Sequence, residues 1–427
     1  MGFRILLTHD FYPPFIGGAE HQVQLLSRQL ALRGHEVSVA TVWHPSLPRE
    51  EEDCGVRVYR LKGLLTNVPW FFANRERRYH PPFPDLGIVW GLRRIINSFE
   101  PDVVHAAGWI AYSCAAALFG KPQPLLLSAR DYCYICAVRD FLFEDRVCDG
   151  PTPMKCLRCA TAHYGPLKGA AATLGIIGFR RLLLGKTRGI HSVSSFVQST
   201  MRRDLLKSAG STADSGRHRI TDVVIPSFLS DIGGVEDTNA TPPDGLPDQP
   251  YILFVGALQP SKGLLVLLKA YSRLTAAPPL VLIGTMWHDW SVALPPGVIL
   301  IRDVPHSSVM AAWERCLFGV APSLCADALP GVVREAMSKG KAMIATAVGG
   351  MPDMIEDGIN GLLVPPGDVD ALSQAIKRLM EEPQLRNKLG RAAQCRAAVY
   401  TADRILPQFE QLYSDVIASH NHSLTGP

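Results

Sequence analysis

Two series of strand–loop–helix–strand units, separated by a segment without apolar periodicity, constrain this chain more than any other feature. The first series opens with an apolar strand at Arg4–Thr8 and a Pro/Gly loop at Pro13–Gly18. A helical pattern follows from about Ala19 to Arg33, with Val23, Leu26 and Leu30 recurring at three and four. Gly34 ends that helix, and a second strand begins at Glu36. Similar units recur around Pro101–His105, Pro124–Ser128 and Gly189–Ser194. A helix that carries the chain back to the start of the next strand makes the two strands parallel. From Pro226 to Pro250 the chain is dominated by Pro, Gly, Asp and Thr, which reads as a linker. Strands at Tyr251–Val255, Pro279–Ile283, Val298–Ile301, Leu317–Ala321 and Ala342–Ala345 then form a second series, with helices such as Leu264–Thr275 and Val332–Lys339 between them. Helical spacing returns at Ala371–Met380, Leu385–Val399 and Ile405–Ile417.

This pattern predicts an α/β protein of two doubly wound, Rossmann-like domains whose parallel sheets face a central cleft. The 427 residues suit two domains. We expect an amino-terminal domain at 1–228 with a Cys-rich insertion at 132–165, a linker at 229–249 and a carboxyl-terminal domain at 250–400. A last helix in 401–427 is expected to pack back on the amino-terminal domain. With 47% apolar and 19% charged residues the chain is neither disordered nor a coiled coil. A net charge of +4 without a concentrated basic face excludes a general nucleic-acid binder. The most apolar stretch, Val103–Gly120, is Ala- and Gly-rich and reads as a buried helix rather than a membrane span. A cytoplasmic chain is expected, with peripheral contact to the cytoplasmic membrane face.

The chemistry concentrates between Pro322 and Pro366. Asp327 and Glu335 are eight residues apart and flank a Pro330–Gly331 turn that opens a helix. Carboxylates accept hydrogen bonds from vicinal hydroxyls, which suits a ribose or a hexose, and the amino end of the helix suits a phosphate. A polar loop capping an ordinary helix is the alternative. Lys262–Gly263 follows the strand Ile252–Val255, where a lysine can neutralise a diphosphate or simply be solvated. Gly17–Gly18 follows the first strand, where glycine lets the backbone approach a phosphate or merely makes a tight turn. Neither GxGxxG nor GxxxxGK[ST] is present, so nicotinamide and ATP binding lose ground. Asp368 and Asp370 spell a DxD triplet at a helix start, which favours capping over metal binding.

Together these segments resemble the retaining glycosyltransferases of family 4, which have the GT-B fold. The resemblance runs through PDVVHAAG at Pro101–Gly108, the segments at Val193–Phe196 and Val223–Ser227, ILFVGALQPSKG, and the paired acids with ALPGVVREAM, to Asp368. It implies that Glu335 holds the nucleotide ribose and Asp327 the sugar hydroxyls of the donor. It implies that Lys262 and the Gly17–Gly18 loop hold the diphosphate, and that Gly331, Val332 and Val333 supply backbone amides near the sugar and phosphate. Four positions depart from the family. Ala257 replaces an arginine, Asp327 a glutamate and Ala107 a histidine, and Arg130–Asp131 stands for a His–Asp pair. Arg130 is a candidate to replace a charge on the phosphate or acceptor, and His105, at a strand end, is a candidate catalytic or structural residue. The reaction implied is transfer of a hexose-type sugar from a nucleotide-diphosphate sugar to a glycan or lipid-linked acceptor, with retention and without a required metal, in cell-surface polysaccharide or glycolipid synthesis. A catalytically weak assembly partner that binds nucleotide sugar or glycan is the second reading.

Five of the ten cysteines lie between Cys133 and Cys159. Cys136, Cys148, Cys156 and Cys159 have a spacing that suits structural zinc, with reduced thiols and disulfides as alternatives. Two stretches, Asn67–Phe83 and Gly178–Arg188, are both basic and apolar. They suit an anionic bilayer and a lipid-linked acceptor, or an ordinary basic surface.

Overall fold

The computed structural model describes residues 2–15, 17–65, 78–207, 220–229, 241–286 and 293–425. The chain forms two compact units. One comprises Met1–Phe141, Asp149–Pro226 and Asp403–Pro427, and the other comprises Leu142–Cys148 and Ser227–Ala402.

The amino-terminal unit contains β1 (Arg4–His9), β2 (Glu36–Val42), β3 (Glu50–Asp53), β4 (Val56–Leu61), β5 (Val103–Ala107) and β6 (Leu125–Ala129). A separate hairpin, β7 (Leu142–Phe143) and β8 (Arg146–Val147), precedes β9 (Thr187–Ser192) and β10 (Thr221–Val224). The eight-stranded sheet has the order β10-β9-β6-β5-β1-β2-β4-β3 and is parallel except for the edge strand β3. Its central strands are buried along nearly their whole length, as a parallel sheet covered on both faces requires. The helices of this unit are α1 (Gly18–Leu32), α2 (Leu86–Phe99), α3 (Ile110–Ala117), α4 (Pro153–Tyr164), α5 (Pro166–Lys186) and α6 (Ser195–Met201). The stretch Val103–Gly120 divides between β5 and α3, so only part of the buried helix expected there forms. Among the described residues no helix is long and apolar enough to cross a membrane.

The carboxyl-terminal unit contains β11 (Ile252–Val255), β12 (Leu280–Gly284), β13 (Val298–Arg302), β14 (Phe318–Ala321), β15 (Met343–Thr346) and β16 (Leu362–Val364). They form one sheet of order β13-β12-β11-β14-β15-β16, and every pair is parallel. Its helices are α7 (Leu264–Tyr271), α8 (His306–Arg315), α9 (Gly331–Ser338), α10 (Met351–Met354), α11 (Val369–Glu381) and α12 (Pro383–Ala397). Phe254, Leu267, Leu282, Phe318, Ile344 and Ile376 form part of one continuous core beneath α7 and α11. Asp368 caps α11 by accepting from the Ala371 amide at 2.9 Å, which is the capping role its DxD position suggests.

The last helix, α13 (Ala402–Thr425), belongs largely to the amino-terminal unit. Phe409, Tyr413 and Val416 are at most 1% exposed, and burial of this kind contributes about 1.5–3 kcal/mol per large apolar side chain. Glu410 adds a bidentate pair with Arg33, at 2.6 and 3.0 Å, and a contact with His35 at 3.1 Å.

Candidate active site

Strand order decides where a ligand can sit. β11 lies between β12 and β14, so the connections diverge there and leave a crevice at the carboxyl ends of β11 and β14. After β11 the chain makes one tight turn, Pro260–Lys262, and enters α7 through Gly263. Gly263 has φ +73°, and a Cβ there would stand 1.8 Å from the Pro322 carbonyl oxygen, so only glycine fits. The amides of Leu324 and Cys325 donate to the Ser261 carbonyl at 2.9 and 3.1 Å, which ties this turn to the loop after β14.

That tie brings Lys262 to Asp327. The ammonium donates to one carboxylate oxygen, and Ser323 Oγ donates to the other at 2.5 Å. The backbone of Asp327 is fixed as well, because its carbonyl accepts from the Gly350 amide at 2.7 Å. Gly349 makes that contact possible: its φ is +61°, and a Cβ would lie 2.3 Å from the same carbonyl oxygen.

Glu335 lies one turn into α9, with Oε1 3.1 Å from His306 Nε2 at the start of α8. Its side chain is 17% exposed and that of His306 61%. Burial favours the protonated carboxyl. The hydrogen bond and charge of His306, with the neighbouring Arg334, outweigh it and hold Glu335 below the usual glutamate range. The same bond raises His306.

Arg334 is the residue that sequence reasoning missed. It is 4% exposed, and among the described residues its Nε and Nη1 have no hydrogen-bond partner. Burial lowers its guanidinium to about 10. A Cβ placed on Gly331 would stand 3.6 Å from Arg334 Nη2 and 3.6 Å from Glu335 Oε1. A cation and an acid therefore meet at the amino end of α9, where Pro330 makes no side-chain cap. Val332 is half-buried in the same turn. A helix start without a side-chain cap and a desolvated guanidinium beside it have the chemistry that suits an anion, and the Glu335 carboxylate is a hydroxyl acceptor. An arginine beside a motif acid gives no signal in sequence, because most helix arginines are solvated.

The amino-terminal unit places its candidates differently. Its strand order diverges between β1 and β5, and Asp10, just past β1 and fully buried, accepts there from the amides of Trp109 and Ile110 at 3.1 and 2.8 Å. Arg139 pairs with Asp131 at 2.8 Å and stacks its guanidinium 5.4 Å from the Trp109 ring and 5.1 Å from the Tyr79 ring. Asp131 thus joins this cluster, whereas the charge of Arg130 acts on His105 and His191. His105 is 2% exposed beneath α13, with Nδ1 3.0 Å from Tyr413 Oη, and burial drives its pKa well below the usual value. Its surroundings are those of a packed, neutral ring between His191 and Phe409. Gly17 and Gly18 stand at the start of α1, but a Cβ on Gly17 would lie 2.2 Å from Glu20 Oε2. The Glu20 carboxylate therefore already covers the spot expected for a phosphate, although Gly18 faces open space.

The zinc expectation requires correction. Among the described residues no group of three or more His, Cys, Asp or Glu side chains is placed to hold a metal ion, so Cys136, Cys148, Cys156 and Cys159 do not form a centre. Cys156 and Cys159 lie along the regular helix α4. None of the ten cysteines is in a disulfide. Of the basic, apolar stretch Asn67–Phe83, residues 67–77 lie outside the described residues.

Residues 249–382 match the family model of glycosyl transferases group 1, and residues 17–209 match the glycosyl transferase 4-like domain. An alpha-D-kanosaminyltransferase of Streptomyces kanamyceticus is 28% identical over 189 residues, covering 40% of this chain and 47% of that protein. The chain spans less than half the length of the first three curated relatives it matches, 12%, 47% and 44%. A sucrose-phosphate synthase from Thermosynechococcus elongatus superposes with a TM-score of 0.72 at 19% identity, covering 97% of this chain and 99% of that one. Anabaena HepE in complex with UDP-glucose gives a TM-score of 0.66 at 17% identity, covering 97% and 100%. With a glycosyl transferase model matched in each half and this fold over nearly its whole length, the chain belongs to the family 4-type glycosyltransferases of the GT-B fold.

Proposed function

We propose that the protein is a retaining glycosyltransferase that moves a hexose-type sugar from a nucleotide-diphosphate sugar to a glycan or lipid-linked acceptor, in the synthesis of a cell-surface polysaccharide or glycolipid. The observation that supports this reading is a set of two ionic pairs: Lys262 with Asp327, beyond the neighbouring strands β11 and β14, and Arg334 with Glu335 at the start of α9, which has no side-chain cap. Glu335 would accept from the ribose diol and Asp327 from hydroxyls of the sugar. As the anomeric bond breaks, negative charge grows on the leaving diphosphate. Lys262, Arg334 and the amides of Gly331, Val332 and Val333 are fixed donors suited to it. Arg334 would supply the cation that Ala257 lacks. Retention by same-face attack, with a leaving phosphate oxygen taking the acceptor proton, follows from the family resemblance, and none of these steps calls on a metal. HepE, whose structure was determined with UDP-glucose, supports a nucleotide-sugar donor. In the amino-terminal unit, Gly17–Gly18 is proposed as a further diphosphate contact, with Glu20 displaced, and Arg130 and His105 as residues affecting the acceptor side.

Turnover of UDP-, GDP- and ADP-sugars in the presence of candidate acceptors tests the activity. Donor binding without turnover of any of them would favour the assembly-partner reading. Asp327→Asn is informative in the same assay. In the unliganded protein Asp327 occupies Lys262. Removing its charge is expected to release the lysine, tighten UDP binding by about fivefold, the effect of roughly 1 kcal/mol, and abolish transfer. Weaker UDP binding by this variant would show that the pair does not compete with the diphosphate.

The Glu335–His306 contact predicts a pH dependence. The raised His306 pKa contributes stability that is complete below its usual 6.5 and is lost as pH rises through the raised value. The lowered Glu335 pKa contributes stability present above its usual 4.5 and lost as pH falls through the lowered value. Ribose must compete with protonated His306 for Glu335, so UDP affinity is expected to rise between pH 6 and pH 8. His306→Ala should flatten that rise in calorimetric titrations, and parallel profiles for the two proteins would discard the competition.

A further inference from the structure

The parallel strands of the amino-terminal sheet all end on one edge, where the order β6-β5-β1-β2-β4 sets the segments that follow them side by side. Trp43 directly follows β2 and Lys62 directly follows β4, and the Trp43 amide donates to the Leu61 carbonyl at 2.9 Å. Lys62 Nζ stands 5.3 Å from the centre of the Trp43 ring, and the Arg49 guanidinium stands 5.9 Å from it. Both cations are exposed, and the indole is half-buried. Its N–H donates to the Leu47 carbonyl at 3.2 Å, which fixes the ring that both cations address.

The acids nearby are engaged elsewhere. Glu51 pairs with Arg60 at 2.5 Å, and Asp53 accepts from Arg28, Tyr12 and Gln24. Glu50 and Glu52, which alternate with them along β3, act on Arg57. Asp85 accepts from the amides of Leu64 and Leu65 at 2.9 and 3.0 Å. Among the described residues no acid pairs with Arg49 or Lys62.

A row of rings leads from these cations along the edge. His44, next to Trp43, packs edge-on against Phe15 at 5.3 Å, Phe15 lies 5.3 Å from Phe11, and Phe11 lies 4.6 Å from Tyr79. Tyr79 carries the Arg139 guanidinium that pairs with Asp131, just past β6. Phe11 is buried, whereas His44, Phe15 and Tyr79 are half-buried. An inorganic anion would use the cations and leave the rings idle, and an apolar chain would do the reverse. A chain of pyranose rings bearing a carboxylate uses both, because its C–H faces rest on aromatic rings while its charge pairs with the cations.

We propose that this edge binds an acidic glycan. The carboxylate of a uronic-acid residue sits on Arg49 and Lys62, and the sugars joined to it run over His44 and Phe15 toward Tyr79 and Asp131. The proposal rests on the glycosyltransferase reading and names its acceptor class, a polysaccharide segment with a carboxylate rather than a single neutral sugar.

Calorimetric titration of the full chain with three probes tests it: a tetrasaccharide of alternating glucuronate and N-acetylglucosamine, the neutral tetrasaccharide of N-acetylglucosamine, and inorganic phosphate. The acidic tetrasaccharide is expected to bind about tenfold more tightly than the neutral one, the effect of two exposed ionic contacts, and high salt should remove that advantage. Arg49→Gln with Lys62→Gln, both at exposed positions, should bring the acidic probe down to the affinity of the neutral one. His44→Ala should weaken both tetrasaccharides by about threefold and leave their ratio unchanged. UDP affinity should be the same in wild type and the double variant. Glu335→Ala should bind the acidic tetrasaccharide like the wild type, so failure of the donor reading leaves this result intact. Equal affinity of wild type and double variant for the acidic probe would overturn the cation subsite. Phosphate binding as tight as that of the acidic tetrasaccharide would reassign the cations to a small anion. Binding of neither tetrasaccharide would overturn the glycan platform altogether.

Discussion

Glu335→Ala is expected to remove most of the thermal stabilisation that a nucleotide sugar gives the wild type. A ligand that binds only the folded state adds RT ln(1 + [L]/Kd), about 2.7 kcal/mol at a hundredfold excess over Kd. Hydrogen bonds to a charged acceptor contribute about 1.5–3 kcal/mol each, and a ribose diol can make two to one carboxylate. A hundredfold rise in Kd would leave about 0.4 kcal/mol at the same ligand concentration. The unliganded variant should fold with a lower melting temperature, because it loses the contact with His306 and the charge beside the buried Arg334, so the comparison is of the shift that ligand adds to each protein. A thermal-shift titration with UDP, GDP, ADP and their sugar conjugates checks this and identifies the base. An undiminished shift in the variant would remove Glu335 from the site.

Arg334→Met should move stability and binding in opposite directions. The wild-type guanidinium is almost fully buried with two N–H groups unpartnered among the described residues, a cost of about 1–3 kcal/mol or more for a charged group. Methionine fills a similar volume without that penalty, so the unliganded variant is expected to unfold at higher denaturant or temperature, by about 1–3 kcal/mol. Donor binding should weaken by about tenfold to a hundredfold, because a desolvated charge opposite a diphosphate is lost. Denaturant melts and calorimetry on the same preparations separate the two effects. A variant less stable than the wild type with unchanged UDP affinity would mark Arg334 as a structural residue.

The order of elements was largely legible because short continuous apolar runs, the mark of strands buried on both faces, alternate with stretches of helical period. Gly263, Pro330–Gly331 and Gly349 also mark turns that the backbone needs. The pairing of Lys262 with Asp327 emerged only with the strand order, which sets both residues beyond neighbouring strands. His105 was harder to place. Its covering partner Tyr413 lies 308 residues away, and no local pattern records such a contact. The pair α4 and α5 was hidden for a different reason: cysteine spacing suggested a metal knuckle, while the helical register of Thr173, Ile176 and Arg180 was the stronger constraint. Arg334 was illegible because its burial depends on the packing around α9 rather than on its neighbours in sequence.

The sequence distance between His105 and Tyr413 also bears on synthesis. A ribosome adds roughly 5–20 residues per second, so about 15–60 s separate the emergence of the two halves of this contact. During that interval Ser227–Ala402, nearly all of the carboxyl-terminal unit, is made and can fold. The earlier-made sheet meanwhile waits with the pocket around His105 and His191 open. The first unit to be translated is therefore the last to be finished, and chaperones acting on the nascent chain would find their exposed surface there.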